Sequence, residues 1–239
     1  MANGQVITGA ERTKEYLPLL KGKRVALLVN QTATIGHTHL VDSLLKLGIH
    51  IQKIFSPEHG FRGKADAGEK IGNSVDAGTG LPIVSLYGKH RKADATDLQD
   101  VDILVFDIQD VGTRFYTYIS SLQEFMESAA ENKKPLIILD RPNPNGHYVD
   151  GPVLDTAFRS FIGMQPIPIV HGMTVAEYAS MLNGEKWLKK HVHCKLTIIK
   201  CKGYTHHTFY QLLVKPSPNL PNMAAVYLYP SLCLLKEPH

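Results

Sequence analysis

Short runs of apolar, often β-branched residues alternate along the chain with longer stretches in which apolar positions recur at helical spacing. This pattern predicts an α/β fold, a parallel sheet whose strands are joined by covering helices. Arg24 to Asn30 (RVALLVN) reads as a buried strand, Ile49 to Phe55 as a second, Leu81 to Tyr87 as a third, Val101 to Asp107 (VDILVFD) as a fourth and Pro135 to Asp140 (PLIILD) as a fifth. Helices are predicted over His37 to Leu47 and Tyr116 to Asn132. Beyond Asp140 the pattern changes, because Pro142, Pro144, Pro152, Pro166 and Pro168 break any regular element. Thr174 then opens another helix, since Thr174 and Glu177 have capping-box spacing and Gly184 is a natural stop. Lys195 to Cys201 reads as a last strand, and the tail from Lys215 is again rich in proline. A boundary is expected near residues 150 to 170, dividing the chain into a sheet domain over 1–160 and an incomplete second domain over 161–239.

Composition narrows the partners more than the fold. The 239 residues are 44% hydrophobic and 20% charged, which excludes disorder, collagen-like repeats and coiled coil. The net charge of +4 is small and dispersed, densest at Lys21 to Arg24 and Lys89 to Lys92, and argues against nucleic acid as the main partner. No apolar run approaches the roughly 20 residues that span a membrane. The N-terminal stretch lacks the basic head and apolar segment of a signal peptide. Three cysteines, Cys194, Cys201 and Cys233, are too few for a disulfide framework.

In an open parallel sheet, the loops leaving the carboxyl ends of the strands line the ligand crevice. Here those loops carry Asn30-Gln31-Thr32 after the first strand and Ser56-Pro57-Glu58-His59-Gly60 after the second. Asp107 to Arg114 follows the fourth, including Gln109 and Asp110, and Asp140-Arg141-Pro142-Asn143 follows the fifth. Glu58 is the foremost carboxylate, because Pro57 stiffens and Gly60 frees the turn that presents it. A carboxyl partly buried at a sheet edge holds its proton more tightly, as a general acid requires. The alternative is that Glu58 caps a turn or pairs with Arg62. The next loop, FRGKADAGEK, has the glycine content of a flap and supplies Arg62, Asp66 and Glu69. Glycoside hydrolysis usually needs a second carboxyl group, for which Asp66, Glu69 and Asp110 are candidates that spacing does not separate. Arg114 offers a bidentate fork to a carboxylate, and Tyr116 or Tyr118 either packs against a sugar ring or belongs to the core. His171, just ahead of a helix, either contacts ligand or packs its turn.

Other chemistries fit less well. Asp107 and Asp110 are one residue too far apart for a phosphatase-type nucleophile loop, and no G-x-G-x-x-G or P-loop pattern follows any strand. The histidines and cysteines between His191 and His207 match no usual zinc spacing, so neither metal nor cofactor is expected.

Together the stretches LLKGKRVALLVNQT, FSPEHGFRGKADAGEK, GLPIVSLYG, VDILVFDIQDVGTRFYTYIS, LDRPNPNG, GPVLD, FRSFIGMQPIPIVHGMTVAEYA and KPSPNLPN resemble the NamZ-type exo-β-N-acetylmuramidases, from about Leu19 to about Cys233. The resemblance implies a Rossmann-like domain carrying the site and a smaller C-terminal domain closing the cleft. It implies removal of terminal non-reducing N-acetylmuramic acid from peptidoglycan fragments in cell-wall turnover and recycling. The family's proposed catalytic glutamate falls on Glu58. Matching motifs also contain Asn30, His59, Arg62, Asp66, Glu69, Gln109, Asp110, Arg114, Tyr116, Asp140, Arg141, Asn143 and His171. A muramic substrate carries a lactyl carboxylate, for which Arg62 or Arg114 is the expected fork. Family members continue beyond the Leu-Tyr-Pro segment, whereas this sequence reads LYPSLCLLKEPH. A truncated second domain is therefore expected, with an inactive protein that still binds muramyl glycans as the alternative reading. Family members are typically exported, which implies a periplasmic or secreted protein.

Overall fold

A computed structural model describes residues 5–58, 60–62 and 72–232. In chain order the elements are α1 (Thr13–Leu20), β1 (Val25–Val29), β2 (Thr34–Ile35), β3 (Thr38–His39), α2 (Leu40–Lys46), β4 (Ile51–Ser56), β5 (Ser74–Val75), β6 (Pro82–Ser85), α3 (Ala95–Leu98), β7 (Ile103–Asp107), α4 (Tyr118–Glu131), β8 (Leu136–Leu139), α5 (Val175–Gly184), β9 (Leu196–Ile199) and α6 (Met223–Leu232). Seven strands form one sheet in the order β5-β6-β4-β1-β7-β8-β9. All neighbours are parallel except the two-residue edge strand β5, which runs against β6. From β1 the chain steps outward through β4 to β6, then returns to β7 and steps the other way to β9. The order therefore reverses between β1 and β7, as in a Rossmann-like sheet, and a crevice opens at that point.

The alternation of each strand builds two cores. Ala26 and Leu28 of β1, Phe55 of β4, Leu104 and Phe106 of β7, and Leu136 and Ile138 of β8 face α4 and α5, meeting Leu122, Phe125, Tyr178 and Leu182. Their neighbours Val25, Leu27, Val29, Ile54, Val105 and Leu139 face the other way, onto Tyr16 and Leu20 of α1 and Leu40 and Leu44 of α2. A sheet buried on both faces favours continuous apolar runs: all five residues of β1 are apolar and buried, and β7 is apolar from Ile103 to Phe106 before its buried Asp107.

Most predicted elements form, with shorter ends. The helix expected from His37 begins at Leu40, because Thr34 to His39 fold into the small antiparallel pair of β2 and β3 around Gly36 at φ +56°. His39 then caps α2, its Nδ1 accepting the Val41 amide at 3.2 Å. Helices α1, α3 and α6 lie where the pattern predicts no element. Thr174 caps α5 with the expected reciprocal bonds to Glu177. The division at residue 160 cuts through the sheet and its core. Strand β9 pairs with β8 over four residues, and α5 packs beside α4 in the same apolar cluster. Among the described residues, no helix is long and apolar enough to cross a membrane.

Candidate functional site

At the reversal between β1 and β7, polar side chains lace the strand ends together. Asn30 Oδ1 accepts from the Thr32 amide at 2.9 Å and from the Thr32 hydroxyl. Thr32 Oγ1 in turn accepts the Gln109 amide at 2.9 Å. Gln109 Nε2 donates to the carbonyls of Asp110 and Pro142. Asn30 and Gln109 are thus buried beneath the crevice as a floor that sets its shape. The backbone of Lys215 and Pro216 lies close above, accepting from Gln31 Nε2 and, at Pro216, from the Tyr116 hydroxyl at 2.8 Å. Tyr116 takes the core role: it is buried and packs edge-on against Tyr118 and Tyr229, which leaves no ring face for a sugar.

Glu58 emerges from the end of β4, half-buried, where Pro57 accepts the Gly60 amide at 3.1 Å and Gly60 adopts φ +74°. A side chain there would be strained, so glycine is what this turn requires. The Tyr87 hydroxyl, just past β6, donates to Glu58 Oε1 at 3.1 Å. The Tyr118 hydroxyl, at the start of α4, reaches toward the Glu58 carbonyl at 3.5 Å. Burial, and then the Glu58 charge, raise the pKa of the Tyr87 phenol, which keeps it a donor. Three elements thus converge on one residue, Tyr87 at its carboxylate and Tyr118 at its backbone carbonyl. Tyr87 escapes sequence reasoning, although its place two residues beyond a strand on the crevice edge is the signal that points to it.

Several other candidates serve the scaffold. Arg141 pairs bidentately with Asp107 in a buried contact that joins the ends of β7 and β8, with Nη2 to Oδ2 at 2.8 Å. Asp140 caps α5: Oδ1 accepts the Ala176 amide at 3.2 Å and Oδ2 the Thr174 hydroxyl at 3.1 Å. Burial pushes its carboxyl up to about 6 in spite of those bonds. Asn143 donates to the Met173 carbonyl and accepts the Asn145 amide, and it packs so closely on Gly112, at φ +80°, that a side chain there would collide. Arg62 is bound to Asp76, with Nη2 to Oδ2 at 2.9 Å, and lies 3.4 Å from Asp42. That guanidinium holds the Asp76 carboxyl below the usual range. Arg114 Nη1 donates to the carbonyls of Pro152, at 2.9 Å, and Ile167, pinning the long segment after β8.

Asp110 is buried, its Oδ2 accepting the Gly112 amide at 2.6 Å and lying 3.7 Å from His171 Nε2. The other His171 nitrogen accepts the Met173 amide, so Nε2 carries the proton and faces Asp110. His171 also borders a cavity of about 430 Å³ with His147, Glu177 and His206, whose lining does not include Glu58. His59, Asp66 and Glu69 lie outside the described residues. Among the described residues, His90, Asp94 and Asp97 could together offer ligands to a metal ion, but Asp94 and Asp97 cap each other at the start of α3 and sit largely at the surface.

Residues 25–224 match the profile of a family described as exo-beta-N-acetylmuramidase NamZ, N-terminal. The chain is 42% identical over 231 residues to the peptidoglycan beta-N-acetylmuramidase NamZ of Bacillus subtilis (strain 168), covering 93% of this chain and 54% of that protein. Two crystal structures of DUF1343 family proteins from Bacteroides fragilis NCTC 9343 superpose on it. One is 52% identical with a TM-score of 0.89, covering 97% of this chain and 62% of that one. The other is 39% identical with a TM-score of 0.88, covering 96% and 60%. The chain thus spans about half the length of the Bacillus relative and about three-fifths of each structure.

Proposed function

Because the chain belongs to the NamZ N-terminal family, we propose that it is a glycoside hydrolase of peptidoglycan, releasing terminal non-reducing N-acetylmuramic acid in cell-wall turnover and recycling outside the cytoplasm, in the periplasm or as a secreted protein. The observation that carries the reading is Glu58, held at the end of β4 by the Tyr87 hydroxyl on Oε1. As general acid, Glu58 gives a proton to the glycosidic oxygen as the bond to the sugar breaks. Asp110, buried with Oδ2 on the Gly112 amide, shapes its turn rather than meeting substrate. The second catalytic group then comes from the flap carboxylates or from the substrate's own acetamido oxygen.

Glu58→Gln keeps the shape and loses the proton. It is expected to lower release of the sugar from a muramyl-glucosamine disaccharide by about 10²- to 10⁴-fold. The loss should be smaller on a nitrophenyl N-acetylmuramide, whose leaving group needs no protonation. Near-normal turnover of the disaccharide by E58Q would overturn the assignment.

A further inference from the structure

Arg62 and Arg114, the two arginines expected to fork an anionic group of the substrate, are both engaged by the protein, by carboxylates in one case and by carbonyls in the other. A third arginine stands on the same rim. Lys89, His90, Arg91 and Lys92 form a basic run in the loop between β6 and α3. His90 Nε2 lies 2.9 Å from Asp97, and Lys92 Nζ lies 3.2 Å from Glu127 and 2.9 Å from Glu131. These pairs tether the loop to α3 and α4 on either side of Arg91. Among the described residues, no carboxylate lies within ion-pair distance of Arg91 itself; its guanidinium lies 4.3 Å from the ring centroid of Phe161.

An aromatic face orients a guanidinium without neutralising it, and leaves the N–H fork at its edge to a bidentate acceptor. Phe161 belongs to the long segment after β8, which the bonds from Arg114 to Pro152 and Ile167 hold in place. Tyr87 connects this cation to the proposed acid. Its hydroxyl bonds to Glu58, and its phenol feels both charges, Glu58 raising its pKa and Arg91 opposing.

We infer that Arg91, seated on Phe161 in the crevice-edge loop that also carries Tyr87, is a subsite for a carboxylate carried by the sugar itself, and selects an acidic over a neutral amino sugar. The inference rests on the glycosidase reading above, and the lactyl ether of muramic acid supplies such a carboxylate.

Calorimetric titration with N-acetylmuramic acid and with its lactyl methyl ester compares two ligands that differ in that charge. The unaltered protein is expected to bind the acid at least about tenfold more tightly, the scale of a charge-assisted bidentate pair. Arg91→Ala should bring the ratio near one, and Arg91→Lys should leave it in between. Each ratio is internal to one variant, so a general loss of folded protein does not imitate the effect. If R91A loses both ligands, R91K decides, an intermediate ratio supporting the subsite and an unaltered one overturning it. Full preference for the acid in both variants overturns the subsite and leaves the glycosidase reading standing. Failure of the unaltered protein to bind either ligand or to cleave a muramyl-glucosamine disaccharide overturns both.

Discussion

Asp140 and Arg141 show how little a residue's position at a strand end says about its task. Both follow β8 on the crevice edge, where the sequence places them among substrate contacts, yet one caps a helix and the other neutralises Asp107. Their partners, Thr174 and Ala176 for one and Asp107 for the other, lie more than thirty residues away, so nothing local announces either role. The cap has a measurable consequence. Burial holds the Asp140 carboxyl at about 6, above its usual 3.8, so the folded protein keeps a proton that the unfolded chain gives up. The stability this contributes is complete below about pH 4 and is lost as the pH rises through about 6, on the order of 2–3 kcal/mol. Asp140→Asn carries no charge at any pH, so its thermal midpoint should fall less than that of the unaltered protein between about pH 4 and pH 7. Parallel profiles would contradict a buried, protonated Asp140. The turn that carries Glu58, by contrast, is legible: an apolar strand, a proline and a glycine define it without help from the rest of the fold.

Elements were easier to read than residues wherever burial on two faces imposes a pattern. Strands β1 and β7 are buried at every position and stand out as apolar runs, broken only by Asp107 at the end of β7. Helix α5 is announced by its start signal, and the structure makes both bonds of the capping box between Thr174 and Glu177. Thr174→Ala should therefore cost about 1 kcal/mol in denaturant unfolding, and Thr174→Ser should retain most of it. Equal stability of the alanine variant would show that the remaining Asp140 bond, to the Ala176 amide, is enough to hold this helix end. Helix α1 carries Pro18 and α6 carries Pro230, and a proline inside a helix masks it from a reading that treats proline as a stop. Helix α3 is only four residues long, too short for any period to show.

For the whole molecule, the proline-rich stretch after Asp140 suggests a domain boundary, but the chain crosses it and returns to the same sheet. Strand β9 covers the edge of β8, and α5 closes the core that α4 begins. A fragment ending at residue 160 would leave that edge and that face bare. It is expected to show no cooperative unfolding transition in near-ultraviolet circular dichroism, and a sharp one would restore the boundary. The long segment itself acquires a use in the fold, since Arg114 pins it and Phe161 within it meets Arg91.

The alternation of strands and helices, the crevice edge and the turn that presents Glu58 all follow from local pattern: period, punctuation and the chemistry of one turn. The pairings across the fold settle which polar residues on that edge are spent on the scaffold, that Tyr87 holds Glu58, and that Arg91, unlike Arg62, keeps its charge uncompensated by a described carboxylate. Those outcomes depend on which side chains meet across the sheet order, and pairings between residues far apart in the chain leave no trace in local spacing.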